Sequence, residues 1–207
     1  MMLGLDPASV AAFLGAGVLL NLTPGADVMF ATASGLSGGK RNGAAAALGV
    51  SFGALVHTVL AALGLSALLM ASPLAYDAVR WAGAAYLLFL AVKAWRAGPP
   101  EARRGAAQLR RAVGRGFLTN VLNPKTALFI VALLPQFTAP EAGAVWAQIL
   151  FLGGLFAVTG FFITAGYGVA AGALGGRLIR HAKLMNRISA GVYLLLALRL
   201  VTHSARA

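Results

Sequence analysis

The chain has 207 residues, 59% of them hydrophobic and 11% charged, with a mean hydropathy of +0.82. Soluble domains average roughly 45–50% apolar and about 25% charged, so a water-soluble fold of this size would expose apolar surface that it has no charges to cover. That excludes an ordinary soluble enzyme or nucleic-acid-binding module and leaves an integral membrane protein built from helices.

The 17 Lys and Arg stand against 5 Asp and Glu, a net of +12. They lie in short tracts between apolar segments. This pattern points to membrane orientation and contact with anionic lipid, and no separate basic domain offers a nucleic-acid site. Cysteine is absent, which excludes disulfides, Fe–S clusters and thiol relays. No Lys or Arg precedes Lys40, so the basic region of a secretory signal is missing and the first apolar stretch is expected to be retained.

Crossing a bilayer takes about 20 apolar residues. Six segments qualify: Pro7–Ala33, Gly43–Met70, Ala75–Trp95, Gly116–Phe137, Ala142–Leu174 and Leu184–Val201. Lys40 and Arg41 follow the first. Arg96, Arg103, Arg104, Arg110, Arg111 and Arg115 follow the third. Arg177, Arg180, Lys183 and Arg187 follow the fifth. With six spans these 12 of the 17 positive residues share one side. The positive-inside rule then places both termini outside. A five-span reading would scatter the basic loops over both faces.

The loop Arg96–Arg115 contains Gly98-Pro99-Pro100 and divides the chain near its middle. Three spans on each side give the halves opposite orientation, the inverted-repeat plan of many transporters. The expected layout is a first three-helix repeat over 1–95, a basic cytoplasmic linker over 96–115 and a second repeat over 116–207. Gly17-Val-Leu-Leu-Asn21-Leu-Thr-Pro24 is similar to Gly116-Phe-Leu-Thr-Asn120-Val-Leu-Asn-Pro124 across a one-residue gap. The fold class expected is thus an all-α membrane protein of six transmembrane helices, with the first and fourth broken at proline.

In the first span, Pro24 removes a backbone donor and Gly25 loosens the chain. Thr23 before Pro24 reads as an N-cap followed by a first helical residue. A half-helix restarting here would aim unpaired N–H groups and a positive dipole end into the protein, a seat for a carboxylate. The alternative is a plain proline kink satisfied by neighbouring helices. Asp27 is the one acid well inside a predicted span. Such groups usually face a cavity and mark an ion or substrate path; otherwise Asp27 only stabilises the helix start.

In the second span Ala45, Gly49, Gly53, His57 and Ala61 recur at steps of four, a stripe that lets helices pack closely. His57 therefore faces protein, either as a proton relay or as a neutral histidine bonded to a carbonyl. In the fourth span Asn123 can cap a helix restarting at Pro124. Lys125 then opposes the dipole at that helix start. It needs an anionic partner such as Asp27 or a substrate carboxylate, unless it snorkels to the surface. The fifth span repeats the stripe with Gly160, Thr164, Gly168, Gly172 and Gly176, and Tyr167 sits beside it. Tyr86 and Tyr167 either bond a ligand or fill space between helices. No HExxH and no phosphate-binding G-x-x-x-x-G-K-[ST] occurs. No metal, cofactor or enzymatic activity is expected.

Together these motifs resemble the LysE/RhtB superfamily of bacterial amino-acid exporters, in its homoserine/threonine/leucine efflux branch. The pieces are Leu22-Thr-Pro-Gly-Ala-Asp27, Gly35-Leu-Ser-Gly-Gly39, Gly49-x-x-x-Gly53, Trp81-Ala-Gly-Ala-Ala-Tyr86, Gly116 through Asn-Pro-Lys125 to Pro-Gln-Phe137, and Asn186-Arg-Ile-Ser-Ala-Gly191. The Asn-Pro-Lys block followed by Pro-Gln-Phe is the most specific. The family pattern usually reads Pro-Gly-Pro where this chain has Ala26. The resemblance implies export of neutral or polar amino acids across the inner membrane, driven by protons. Its site would be formed by Asn21, Pro24, Gly25, Asp27, Asn120, Asn123, Pro124 and Lys125. Dipole ends and Lys125 would hold the substrate carboxylate, Asp27 the ammonium or the coupling proton, and His57 would be a second titrating group. Competing readings are a transporter of another solute or ion, and a membrane assembly factor. Substrate identity and self-association into a homo-oligomer stay open.

Overall fold

The computed structural model describes residues 2–71 and 109–174 continuously, with isolated helical positions between 74 and 96 and between 187 and 201. Among the described residues all regular structure is helical. Helix α1 spans Pro7–Leu22 and α2 spans Ala26–Ala71. Helix α3 spans Leu109–Val121 and α4 spans Pro124–Leu128. The chain runs on from α4 through a π-helical turn, Phe129–Leu133, and a 3-10 turn, Leu134–Phe137. After a further 3-10 turn, Pro140–Ala142, helix α5 spans Val145–Leu174.

Helix α1 starts where the sequence places it. Asp6 Oδ2 accepts from Ser9 N at 3.1 Å, and Pro7 takes the first helical position, where a missing N–H does no harm. Helix α2 is two arms joined at Gly39, whose φ of 79° and ψ of 179° lie outside helical space in a region open to glycine. A Cβ on either Gly35 or Gly43 would collide with the carbonyl of Gly168. In one straight helix those two glycines would be about 12 Å apart. Both reach the same carbonyl because the chain turns at Gly39. The first arm thus overlaps the end of the first predicted span and the second arm overlaps the second, with Lys40 and Arg41 exposed at the turn.

Small residues set the close packing of the helices, as the stripes predict. Gly49 lies against the backbone of Val113 and Phe117, Gly116 against the Ala46 carbonyl, and Gly53 against Asn120. Gly168 meets Gly43, and Gly172 meets Gly39 and Lys40. Any side chain at these positions would force the backbones apart. Helix α3 begins at Leu109, inside the stretch read as linker. Its Ala112, Gly116 and Asn120 form one buried face while Arg110, Arg111 and Arg115 stay exposed, so the helix extends well past its apolar part.

Below the breaks lies an aromatic core. Phe129 stacks on Phe156 with centroids 4.9 Å apart, and Phe13 meets Phe137 edge-on at 5.4 Å. Gln148, fully buried in α5, ties this end together. Its Nε2 donates to Leu3 O at 3.1 Å and to Ala139 O at 3.0 Å, and its Oε1 accepts from Ala139 N at 2.8 Å. The outer surface is apolar too, with Leu63 72% and Phe162 68% exposed. Such side chains suit lipid and would be a liability in water.

Ala26–Gly64 and Val145–Leu174 are each long and apolar enough to cross a membrane. Leu109–Val121 and Lys125–Phe137, bent by 54°, make a third crossing if taken as one broken span. Most of the predicted third and sixth spans, Tyr86, Gly176, Arg177, Arg180, Lys183 and most of the linker lie outside the described residues.

Candidate functional site

The first break is built by Thr23, Pro24 and Gly25. The Thr23 N–H bonds back to Leu19 O at 3.2 Å and Leu20 O at 3.1 Å, and its Oγ1 donates to Leu19 O at 2.6 Å. Thr23 therefore closes α1 rather than capping the helix that follows, contrary to the sequence expectation. Its hydroxyl is already engaged behind it, and its ψ of 116° leads the chain out of the helix. The next helix starts at Ala26, with Asp27 in its first turn, where a carboxylate favours the dipole.

The second break behaves as predicted. Helix α3 ends at Val121, and Asn123 Oδ1 accepts from Lys125 N at 3.0 Å, capping the helix that restarts at Pro124. A π-helical turn follows within five residues, a feature often found at functional sites.

The two breaks interlock. Asn123 Nδ2 donates to Asp27 Oδ2 at 2.7 Å, Asn120 Nδ2 at 3.0 Å and Thr126 Oγ1 at 3.4 Å. Asp27 is 5% exposed and Asn120 2%. Three donors thus converge on one carboxylate oxygen. The other, Asp27 Oδ1, has no hydrogen-bond partner, and neither does Asn120 Oδ1.

Lys125 crosses in the opposite direction. It is buried, and its Nζ donates to Thr23 O at 3.2 Å and Leu20 O at 3.4 Å. It does not snorkel to the surface, and its Nζ hydrogen-bonds carbonyl oxygens rather than the Asp27 carboxylate. Its partners are the carbonyls at the negative end of α1. Tyr167 adds a donor at the same end, with its hydroxyl 3.1 Å from Leu22 O.

Behind the second break His57 Nε2 donates to the Asn120 carbonyl at 3.1 Å, the packed arrangement that was one of its two readings. Asn21 Nδ2 donates to Phe156 O at 3.4 Å, and Ser51 Oγ to Ala157 O at 2.7 Å. A narrow cavity is lined by Asn21, Asp27, Ser51, Asn120, Lys125, Thr126, Phe156 and Thr164 among others. Most of it is crevice, and its centre has room for about one water molecule. An amino acid would need the helices to part.

The LysE type translocator family matches residues 18–204 of this chain. An uncharacterized membrane protein of Vibrio cholerae is 36% identical over 86% of the chain and 87% of its own length. A homoserine/homoserine lactone efflux protein of Salmonella typhi is 34% identical over 77% of the chain and 79% of its own length. The chain belongs to the LysE-type translocator family. The uncharacterized membrane protein YrhP of Bacillus subtilis is 33% identical over 62% of the chain. No solved structure matches.

In this translocator the structure brings together Asp27, Asn120, Asn123 and Lys125, and it lines the same cavity with Asn21. Pro24 and Gly25 shape the first break, and Pro124 starts α4 at the second. His57 is outside the cavity lining and reaches it through Asn120. Ser51, Thr126 and Thr164 were not singled out as polar members of the site. Thr126 is adjacent to Lys125, and Thr164 lies within the α5 stripe, so both carried a positional signal. Ser51 carried none, because a lone serine between glycines reads as packing.

Proposed function

We propose that this LysE-type translocator exports small amino acids of the homoserine, threonine and leucine kind across the bacterial inner membrane in exchange for protons. The observation that carries the reading is Asp27: a buried carboxylate with one oxygen held by three donors and the other unpartnered beside a cavity. A buried acceptor without a donor is costly. The substrate α-ammonium is the donor that suits it, shared with the equally unpartnered Asn120 Oδ1. The amide and hydroxyl hydrogens around Oδ2 favour this over a metal ion, which would need those positions to be acceptors.

The substrate carboxylate would lie toward the start of α4, where Asn123 and Lys125 stand, and the side chain against Val50, Ala54, Phe156 and Ala157, which line the same cavity. With the ammonium gone, Asp27 is free to take the coupling proton. The name of the Salmonella relative supports homoserine as the first substrate to try.

In this reading six spans form two inverted three-helix repeats, 1–95 and 116–207, joined by the cytoplasmic linker 96–115, with both termini outside. Arg110, Arg111 and Arg115, exposed on α3, would meet anionic headgroups. The function is tested by counterflow of labelled amino acids into proteoliposomes holding this protein alone, with homoserine expected to exchange. No counterflow with any neutral amino acid would overturn it. The layout is tested by placing single cysteines in the Cys-free chain. An impermeant thiol reagent should label Ala205→Cys but not Ala106→Cys on intact cells, and the reverse would refute it.

A further inference from the structure

We infer that the carbonyls at the end of α1 form a seat for a primary ammonium, which Lys125 fills from across the molecule as a tethered cation. The consequence for transport rests on the exporter reading above; the seat itself does not. A helix leaves its last four carbonyls without internal partners and its C-terminus partially negative. In α1 the Leu19 carbonyl is taken by Thr23. Leu22 O receives the Tyr167 hydroxyl. Leu20 O, which also accepts the Thr23 N–H, and Thr23 O receive Lys125 Nζ, from 105 and 102 residues away in sequence. Pro24 has no N–H of its own, so the break adds an acceptor in Thr23 O while contributing one donor fewer.

A second feature is shaped for the same side chain. A Cβ on Gly25 would stand 3.0 Å from Lys125 Nζ, 3.3 Å from Cε and 3.5 Å from Cδ. The lysine arm therefore lies in the groove left by the missing side chain of Gly25, and the glycine of the break serves the cation as well as the turn. In broken-helix transporters, half-helix C-termini and unwound carbonyls coordinate free monovalent cations. Here a covalently attached ammonium holds that kind of position. Transport should then need no sodium, and removing the ammonium should expose a site for a small organic cation.

The deleted atoms of Lys125→Ala amount to n-propylammonium, which is the probe. Purified Lys125→Ala should melt at least about 5 °C below wild type. Added n-propylammonium should restore most of that loss, while n-propanol and tetramethylammonium, which lack either the charge or the N–H donors, should not. Lys125→Met, which keeps the stem and loses the ammonium, should melt close to Lys125→Ala. If Lys125→Ala is recovered only when membranes are solubilised in n-propylammonium, the seat stands; if neither n-propylammonium nor n-propanol recovers it, the seat falls. A Lys125→Met protein as stable as wild type, or equal rescue by n-propanol, overturns the inference, since the lysine would then act only through its stem. In proteoliposomes, wild-type exchange of homoserine should be unchanged when sodium is replaced by choline, and a sodium requirement would count against the tethered cation. If wild type exchanges no amino acid, the exporter reading fails while the melting series still decides the seat.

Discussion

The two proline breaks share a sequence pattern but differ in how they satisfy their backbones. At the first, the helix before the proline is closed from within, by the Thr23 hydroxyl on Leu19 O at 2.6 Å, and the helix after it starts with an acid. At the second, the helix after the proline is capped from within, by Asn123 on Lys125 N at 3.0 Å, and that helix starts with a base. Asp27 sits where the dipole favours it and Lys125 where the dipole opposes it. The mismatch is resolved between the breaks rather than within them. Lys125 reaches the negative end of α1, and Asn120, Asn123 and Thr126 reach Asp27. Each break is thus completed by side chains of the other. Movement at one should loosen the other, which is what the proposed transport needs in order to open a cavity with room for about one water.

That interlock can be broken at its strongest point first. Asp27→Asn should reduce proton-driven homoserine export about 100-fold or more, the equivalent of losing a charge-assisted contact of about 3 kcal/mol, with protein level in the membrane unchanged. Flux and immunoblot on the same cells check both, and normal export by the variant would remove Asp27 from the mechanism. A smaller effect should separate the two roles of Asn123. Asn123→Ser keeps a cap but loses the amide donated to Asp27 and should weaken homoserine affinity by roughly tenfold. Asn123→Asp also keeps a cap, yet it sets a second carboxylate against Asp27 and should destabilise the fold more than serine does. Melting temperatures that rank the other way would mean that the cap, not the contact with Asp27, is what Asn123 contributes. The mildest test is Thr23→Val, which removes only the internal closure of α1. It should cost about 1 kcal/mol, read as a fall in melting temperature of roughly 2–4 °C. No change would show that the backbone N–H at position 23, with Lys125 and Tyr167, holds that helix end without the hydroxyl.

Whereas the continuation of α2 through residues 34–42 was not legible in the sequence, membrane class, the start of α1, the end of α5, the break at each proline and the small-residue stripes were. They depend on local rules: apolar length, the missing proline N–H, the asparagine cap and the spacing of glycines. The turn at Gly39 was foreshadowed by Lys40 and Arg41, since two charges there belong outside the bilayer. The direction of Thr23 was not legible, because a threonine before proline can bond forward or back and only the surrounding backbone chooses. The sequence also singled out Asp27, Asn120, Asn123 and Lys125 without saying which would touch. That pairing spans more than 90 residues and depends on how α2, α3 and α5 stack through their glycines. Sequence alone thus determined where this chain breaks and which polar groups it buries. Only the tertiary structure decided that the lysine belongs to the carbonyls of α1 and the asparagines to Asp27, because a buried charge takes the partners that packing brings within reach.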